Sequence, residues 1–222
     1  MDLITALLFL VGIADVVIGV YIGIQKPVTT IRKSYTWVVF GTAGWVLANA
    51  VFRLMSTDAA VEIAERLTFL FGTVATSAFL YFSFVFPYTK RPLKQWMFLY
   101  VVLSAVVICI FALFTEFFLV RSVSVGSHES ISTYGQFYAV FFIWFIGTWI
   151  WSIANLLLKY KDADAFSRWQ IRMMLFAVPL TIILAILFDL IAPYLQIAGT
   201  GWFASVSSVI WLGFTVYIVM KR

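Results

Sequence analysis

Residues 3–24 are LITALLFLVGIADVVIGVYIGI, an apolar run that contains one charged side chain, Asp15. Hydrocarbon about 30 Å thick requires roughly 20 apolar residues in a helix, so this run is long enough to cross a bilayer. Asp2 precedes it in place of a basic region, and no small-residue cleavage site follows it. We therefore predict a retained membrane span and not a signal peptide.

Six further runs of this kind occupy most of the remaining chain. Hydrophobic residues make up 64% of the sequence and charged residues 11%, whereas soluble domains are about half apolar and a quarter charged. Backbone polar groups in lipid must be satisfied within the segment, which favours helices over the short alternating strands of a barrel. We predict an all-α fold, a single seven-transmembrane-helix bundle over 1–222. The predicted spans are Leu3–Ile24, Tyr35–Met55, Ile63–Phe86, Trp96–Phe114, Phe137–Leu158, Ile171–Ala192 and Trp202–Met220.

Basic residues are distributed unequally between alternate loops. Three of the fifteen Lys and Arg residues fall on one side: Arg53, Arg66 and Arg121. The other twelve are Lys26, Arg32, Lys33, Lys90, Arg91, Lys94, Lys159, Lys161, Arg168, Arg172, Lys221 and Arg222. The positive-inside rule then places the N-terminus outside and the C-terminus in the cytoplasm. We expect a multi-pass protein of the cell membrane, namely the bacterial inner membrane. The +5 net charge is a topology signal, and no nucleic-acid partner is expected.

Two connections are longer than turns. In the outer segment 116–134, residues 121–125 alternate polar and apolar before Gly126, which predicts a short hairpin over the outer mouth; the alternative is a disordered linker. The inner connection 159–172 is predicted to extend the fifth and sixth helices into the cytoplasm. Arg168, Gln170 and Arg172, with the terminal Lys-Arg pair, form the predicted partner surface there. Its net positive charge suits an acidic protein or the anionic headgroups of the lipid bilayer.

Several short motifs occur in a recognisable order. Trp45 lies in the second span, and Glu65-Arg66 opens the third, which closes with Phe82-Ser83-Phe84-Val85-Phe86-Pro87 before a basic loop. Arg168-Trp169-Gln170-Ile171-Arg172 introduces the sixth span, which ends near Pro193. In order and spacing, essentially the whole chain resembles the N-terminal seven-helix sensor region of bacterial histidine kinases.

The resemblance implies an input domain with its N-terminus outside, which feeds a cytoplasmic kinase, PAS or cyclase module. The sequence shows no phosphoacceptor-histidine helix or ATP-binding domain, and its one histidine, His128, lies in the outer loop. We therefore expect a stand-alone bundle of sensor type, or a sensor region separated from its output. A microbial rhodopsin would need a lysine in the last span, and Trp202–Met220 contains none.

Asp15 is the sharpest polar feature within the spans. A carboxylate there costs about 2.5–3.5 kcal/mol on insertion scales, so it should face protein or water. Gly12, Gly19 and Gly23 share its helix face and allow another helix to approach closely. We predict that Asp15 is buried against the second or third helix and bonded to a hydroxyl there, with Thr42, Thr73 and Thr76 as the candidates. It is either an acid that holds helices in register or a ligand or proton site.

A charged cluster is predicted near the outer surface. Its members are Arg53, Asp58, Glu62, Glu65, Arg66 and Asp189. Glu62 and Arg66 are four residues apart and can pair on one helix, and Asp189 is predicted to meet Arg53 or Arg66 across the bundle. The cluster is either a set of interfacial salt bridges or the rim of a cavity that opens outward. Trp45 and Trp211 lie deeper and either line a pocket or pack helices together. Pro179 is predicted to kink the sixth helix.

No catalytic constellation is apparent, because the sole histidine has no evident nucleophile near it. Clustered metal ligands are likewise missing from the sequence, so we expect no enzyme, metal or cofactor. The favoured function is a sensor or receptor module that binds a small apolar or amphipathic ligand from the outer side and acts through a separate membrane or cytoplasmic protein partner. The alternative is a non-catalytic integral subunit of a larger membrane protein complex. A transporter is disfavoured, because no inverted repeat is apparent.

Overall fold

The computed structural model describes residues 2–27, 29–88, 95–124, 130–197 and 202–220. Within these residues, seven helices are long and apolar enough to cross a membrane. The helices are α1 (Leu3–Ile24), α2 (Thr30–Phe52), α3 (Asp58–Val85), α4 (Gln95–Phe114), α5 (Tyr138–Asp162), α6 (Ala165–Ala185) and α7 (Trp202–Met220). The predicted all-α seven-helix bundle is confirmed. Lys90, Arg91, Lys94, Gly126, His128, Lys221 and Arg222, on which parts of the sequence analysis rest, lie outside the described residues.

Polar capping residues set several helix ends beyond the apolar runs. α2 begins at Thr30, where the Thr29 hydroxyl accepts a hydrogen bond from the Arg32 amide at 3.2 Å. α6 begins at Ala165, where the Asp164 carboxylate accepts one from the Ser167 amide at 3.4 Å. Ser167 lowers the pKa of Asp164, as expected for a carboxylate that accepts hydrogen bonds at a helix start. Both helices therefore begin before the hydrophobic runs that predict them.

The packing places α3 at the centre of one half of the bundle. It contacts α2, α4 and α5, whereas α7 contacts α6, α1 and α2. At Gly41 a Cβ atom would lie 2.6 Å from the Ala75 amide nitrogen, so the close approach of α2 and α3 requires glycine at this point. By contrast, α4 packs mainly on α3 and leaves most of its apolar surface exposed, as expected for a peripheral helix in lipid.

Two antiparallel strands, β1 (Leu119–Ser124) and β2 (Ser130–Tyr134), form the segment between α4 and α5. Ser122 is opposite Ser132 in the register, and an irregularity separates Leu119 from Arg121. Alternation in the sequence predicts a hairpin over this segment, and residues 125–129, which link the strands in the chain, lie outside the described residues.

The sixth span changes from α-helical to π-helical winding near its C-terminal end. α6 contains Pro179, and a π-helical segment, Ile186–Ile191, follows it directly and leads into a short helical turn, Ala192–Tyr194. Asp189 lies within the π-helical segment. Such segments are rare and frequently accompany functional sites. Nothing in the sequence analysis anticipates this one, because a run of apolar residues does not distinguish α from π winding.

Candidate ligand cavity

A cavity of about 200 Å³ lies among α2, α3, α5, α6 and α7, with β2 contributing to its wall. Most of the wall is apolar or aromatic. Five of the residues predicted as ligand or polar-core candidates line it: Trp45, Arg53, Glu65, Asp189 and Trp211. Trp45 and Trp211, for which the sequence allows either pocket lining or helix packing, both belong to the wall. Asp15 and Arg66 do not.

Aromatic rings from α3 and α5 build one side of the cavity. Phe69 meets Phe141 edge-on with ring centroids 4.9 Å apart, and Phe145 meets Trp149 at 6.3 Å. Phe79 supports Trp149 from behind at 4.7 Å. Offset and edge-to-face contacts of this kind restrain each ring, so the cavity has a defined aromatic wall.

Arg53 is held at the end of α2 by the start of α1. Its Nη2 lies 2.7 Å from the Asp2 carboxylate, and its Nε donates to the Thr5 hydroxyl at 3.3 Å. Hydrogen bonds from Thr5 and from Arg53 lower the pKa of Asp2. The predicted ion pair between Arg53 and Asp189 is wrong, because the Arg53 guanidinium is directed to α1 instead.

Glu65 connects α3 with the strands. Its carboxylate accepts a hydrogen bond from the Ser132 hydroxyl at 2.6 Å and one from the Tyr134 hydroxyl at 3.2 Å. Burial, together with the charge of Glu65, raises the pKa of Tyr134, so its hydroxyl keeps the proton that it donates. Because both donors come from β2, Glu65 anchors this strand beside the cavity.

Arg66 points away from the cavity, although it adjoins Glu65 in the chain. Its Nη1 donates to the Ala112 and Thr115 carbonyls at 2.8 and 2.6 Å, and its Nη2 donates to the Leu119 carbonyl at 3.1 Å. It also pairs with Glu62 at 2.9 Å, as the four-residue spacing predicts. Arg66 therefore ties the end of α4 and the start of β1 to α3, and it does not meet Asp189.

Three buried polar atoms in the cavity wall have no hydrogen-bond partner among the described residues. They are Asp189 Oδ2, Thr76 Oγ1 and Trp149 Nε1. Beside Asp189, the Tyr138 hydroxyl donates to the Leu190 carbonyl at 2.9 Å. Trp149 was missed by the sequence analysis, because nothing in the sequence separates it from eight other tryptophans.

A family model described as the N-terminal 7TM region of histidine kinase matches residues 7–218. The chain belongs to this family. It is therefore a multi-pass membrane protein that corresponds to the sensor-type region of histidine kinases, and the cavity lies inside that region. Among curated proteins, none matches the chain.

Asp15 of this sensor region lies at a helix contact outside the cavity. It is fully buried, and its Oδ2 accepts a hydrogen bond from the Ser208 hydroxyl of α7 at 3.2 Å. The predicted hydroxyl partner on the second or third helix is wrong, because Thr42 and Thr73 donate to carbonyls of their own helices at 2.9 and 2.8 Å. The glycine face itself does meet α2, since a Cβ at Gly12 would lie 2.6 Å from Leu47.

The predicted cytoplasmic partner surface of the sensor region is smaller than expected. Arg168 and Arg172 are exposed, and Arg172 donates to the Tyr160 hydroxyl at 3.0 Å. Gln170 is only 1% exposed and donates to the Ile218 carbonyl at 2.9 Å, so its assignment to this surface is wrong. It faces α7 because it lies on the buried side of α6, between two outward-facing arginines.

Lys159, one of the twelve basic residues predicted on the cytoplasmic side, is buried. Its ammonium donates to the carbonyls of Ser83, Phe84, Phe86 and Tyr88 at 3.0, 2.5, 2.8 and 3.1 Å. These carbonyls belong to the end of α3 and the residues that follow it. A cation there is favoured by the orphan carbonyls and by the partial negative charge of a helix C-terminus. This contact is not predictable from the sequence, because its partners are backbone atoms, which have no sequence signature.

Proposed function

We propose that this sensor region binds a small amphipathic molecule in the cavity and passes the signal to a separate cytoplasmic partner. The observation that carries the proposal is an apolar, aromatic cavity whose wall includes the unpartnered atoms Asp189 Oδ2, Thr76 Oγ1 and Trp149 Nε1. Leaving a buried polar group unsatisfied costs about 1–3 kcal/mol. A ligand that supplies the missing hydrogen bonds recovers part of that cost, in addition to the gain from burying its own apolar surface.

The ligand enters from the outer side in this proposal. Arg53, Glu65 and Asp189 lie at the bundle end that includes the start of α1, since Asp2 pairs with Arg53. The twelve-to-three distribution of Lys and Arg supports an N-terminus outside the cell, which would place this end of the bundle there.

Transmission towards the cytoplasm is proposed to follow α3 and α5. Thr76 and Trp149 line the cavity from these two helices, and further along them Lys159 joins the end of α3 to the end of α5. A change in the spacing of α3 and α5 at the cavity would therefore move the connection into α6, where Arg168 and Arg172 are exposed. With Lys161, they form a basic surface for an acidic partner or anionic headgroups.

The binding step can be tested by filling the cavity without disturbing the helices. Gly72 lines the cavity, and a Cβ added there would meet nothing within 4 Å. The Gly72→Leu variant should fold, because leucine is a better helix former than glycine by roughly 1 kcal/mol. Gly147 has equally open surroundings but does not line the cavity, so Gly147→Leu is the matched control.

Phenylbutanol is a suitable probe, because it is small, amphipathic and uncharged. Isothermal titration into protein in lipid nanodiscs, with empty nanodiscs subtracted, should give saturable binding for the wild type and for Gly147→Leu. The Gly72→Leu variant should bind at least about tenfold more weakly, a loss of about 1.4 kcal/mol. Equal binding by both variants would show that the cavity is not the site that the probe occupies.

A further inference from the structure

We infer that the ligand of this cavity is an organic cation, a molecule with an amine or ammonium group attached to an apolar body. This inference rests on the proposed function and adds the chemical class of the ligand. It is carried by the charges in the cavity wall, by the position of the unpartnered atoms and by the aromatic lining.

The charged residues of the described wall are Arg53, Glu65 and Asp189. Arg53 is offset by Asp2, which pairs with it from outside the wall at 2.7 Å. Neither Glu65 nor Asp189 forms an ion pair with a described residue. Two carboxyl groups therefore face the same cavity, and no described residue supplies a cation that pairs with either. In surroundings of low dielectric constant, this arrangement attracts a cation and repels an anion.

Hydrogen bonding distinguishes the two carboxyl groups. Both Glu65 oxygens accept hydrogen bonds from β2, whereas Asp189 Oδ2 has no donor among the described residues. Burial favours the neutral form of an unpaired carboxyl group, whereas a cation beside it stabilises the ionised form, whose oxygens only accept. An ammonium N–H therefore supplies both the missing hydrogen bond and the compensating charge. Asp189 is therefore the anchor for the cationic group, and Glu65 adds charge while it holds the strand.

The remainder of the wall suits an apolar body attached to that group. Thr76 lies 11 residues after Glu65 on α3, which at 1.5 Å per residue places it about 16 Å deeper in the bundle. Thr76 is 1% exposed, and its unpartnered hydroxyl marks the deep end of an elongated cavity. Trp45 and Tyr134 line the same wall, and aromatic faces of this kind bind organic cations.

The test compares three probes of nearly equal size and shape: phenylbutylamine, phenylbutanol and phenylbutyrate. At neutral pH they are cationic, neutral and anionic. In titrations of the full chain in nanodiscs of uncharged lipid, the amine should bind about tenfold more tightly than the alcohol, and the carboxylate should bind most weakly. Amine binding should be lost in Gly72→Leu and kept in Gly147→Leu, which separates the cavity from the bilayer.

Replacement of Asp189 by asparagine removes the charge and keeps the shape. We expect Asp189→Asn to lower the affinity for phenylbutylamine about tenfold and to leave phenylbutanol binding unchanged. Equal binding of amine and alcohol, preference for phenylbutyrate, or an unaltered amine affinity in Asp189→Asn would overturn the cation assignment while the proposed ligand site stands. If none of the three probes binds saturably, the proposed function itself fails. The wild-type comparison alone decides the charge class if the variant does not fold.

Discussion

Lys159 shows how one side chain can join two helices through backbone atoms alone. Its ammonium reaches four carbonyls at the end of α3, while the rest of the residue belongs to α5. A second hydrogen bond joins the same two helices nearby, because the Asn155 amide of α5 donates to the Ser83 hydroxyl of α3 at 3.2 Å. A buried cation is costly unless its donors are satisfied, and here the backbone satisfies them.

Replacement of Lys159 by methionine should destabilise the bundle. Methionine fills similar space, yet it leaves the α3 carbonyls without a donor, which we expect to cost about 2 kcal/mol. For a chain of this length, that corresponds to a fall of about 4–8 °C in the unfolding temperature. Thermal unfolding followed by circular dichroism in detergent measures it, with Lys161→Met as the control, because Lys161 is exposed. Equal melting of the two variants would mean that the Lys159 contact contributes no stability.

Single residues of the site were predictable to different degrees. Charged residues in or beside apolar runs are conspicuous, and this predicts a charged cluster that includes Arg53, Glu65 and Asp189. The structure brings these three residues together around one cavity. Their partners were not predictable. Arg53 meets Asp2, and Asp15 meets Ser208, nearly the whole chain away. Pairing of this kind depends on the rotation of each helix about its axis, which a uniformly apolar sequence does not specify.

At the scale of elements, the helices were easier to locate than their ends. The span α1 has the predicted bounds, because apolar residues reach both of its ends. The helices α2 and α6 begin before the apolar runs, in polar first turns, since capping and not hydropathy fixes where they start. The helix α3 also begins early, at Asp58, but without a side-chain cap. The π-helical segment at Ile186–Ile191 was not predictable from composition, yet it carries the residue that we propose as the ligand anchor.

The strands are attached to the helical bundle at a few polar points. Glu65 holds β2 through Ser132 and Tyr134, and Arg121 of β1 meets Asp58 at 3.1 Å on the exposed side. Since the Arg121 pair is open to solvent, it should contribute little. The Glu65 contacts are shielded, and Arg66 reaches only the Leu119 carbonyl at the start of β1, so we expect Glu65 to dominate the anchoring of β2 and, through it, of the strand pair.

Loss of the Glu65 carboxyl group should therefore loosen the strands without unfolding the helices. In Glu65→Ala, we expect amide hydrogen exchange in β1 and β2 to rise at least about tenfold, because hydrogen bonds to a charged group are worth about 1.5–3 kcal/mol. Exchange in α3 and α5 should stay as in the wild type. Thr68→Ala is the control, since Thr68 also lines the cavity but its hydroxyl donates to the Ala64 carbonyl of its own helix. Unchanged exchange in the strands of Glu65→Ala would assign their anchoring to other contacts.

For the whole molecule, the two ends of the bundle differ in the way that their charges are used. At the end with Arg53, Glu65 and Arg66, basic and acidic side chains alternate and pair with one another or with the strands. At the opposite end, Lys161, Arg168 and Arg172 are exposed, with Asp162 and Asp164 close in sequence. The proposed orientation turns the first end outward, towards a ligand, and the second inward, towards a partner.

Labelling of single cysteines on the two ends tests this orientation. The native Cys109 is first replaced by serine, and Lys161→Cys and Ser56→Cys are then made separately, both at exposed positions. In intact cells, a membrane-impermeant maleimide should label Ser56→Cys and should reach Lys161→Cys only after the membrane is opened. The expectation follows from the twelve-to-three excess of basic residues, which retains the basic end in the cytoplasm.

The reverse pattern would place the cavity end inside the cell, and it would separate Arg168 and Arg172 from any cytoplasmic partner. The probe titrations would be unaffected by that result, because binding in nanodiscs does not depend on which side of the membrane the cavity faces.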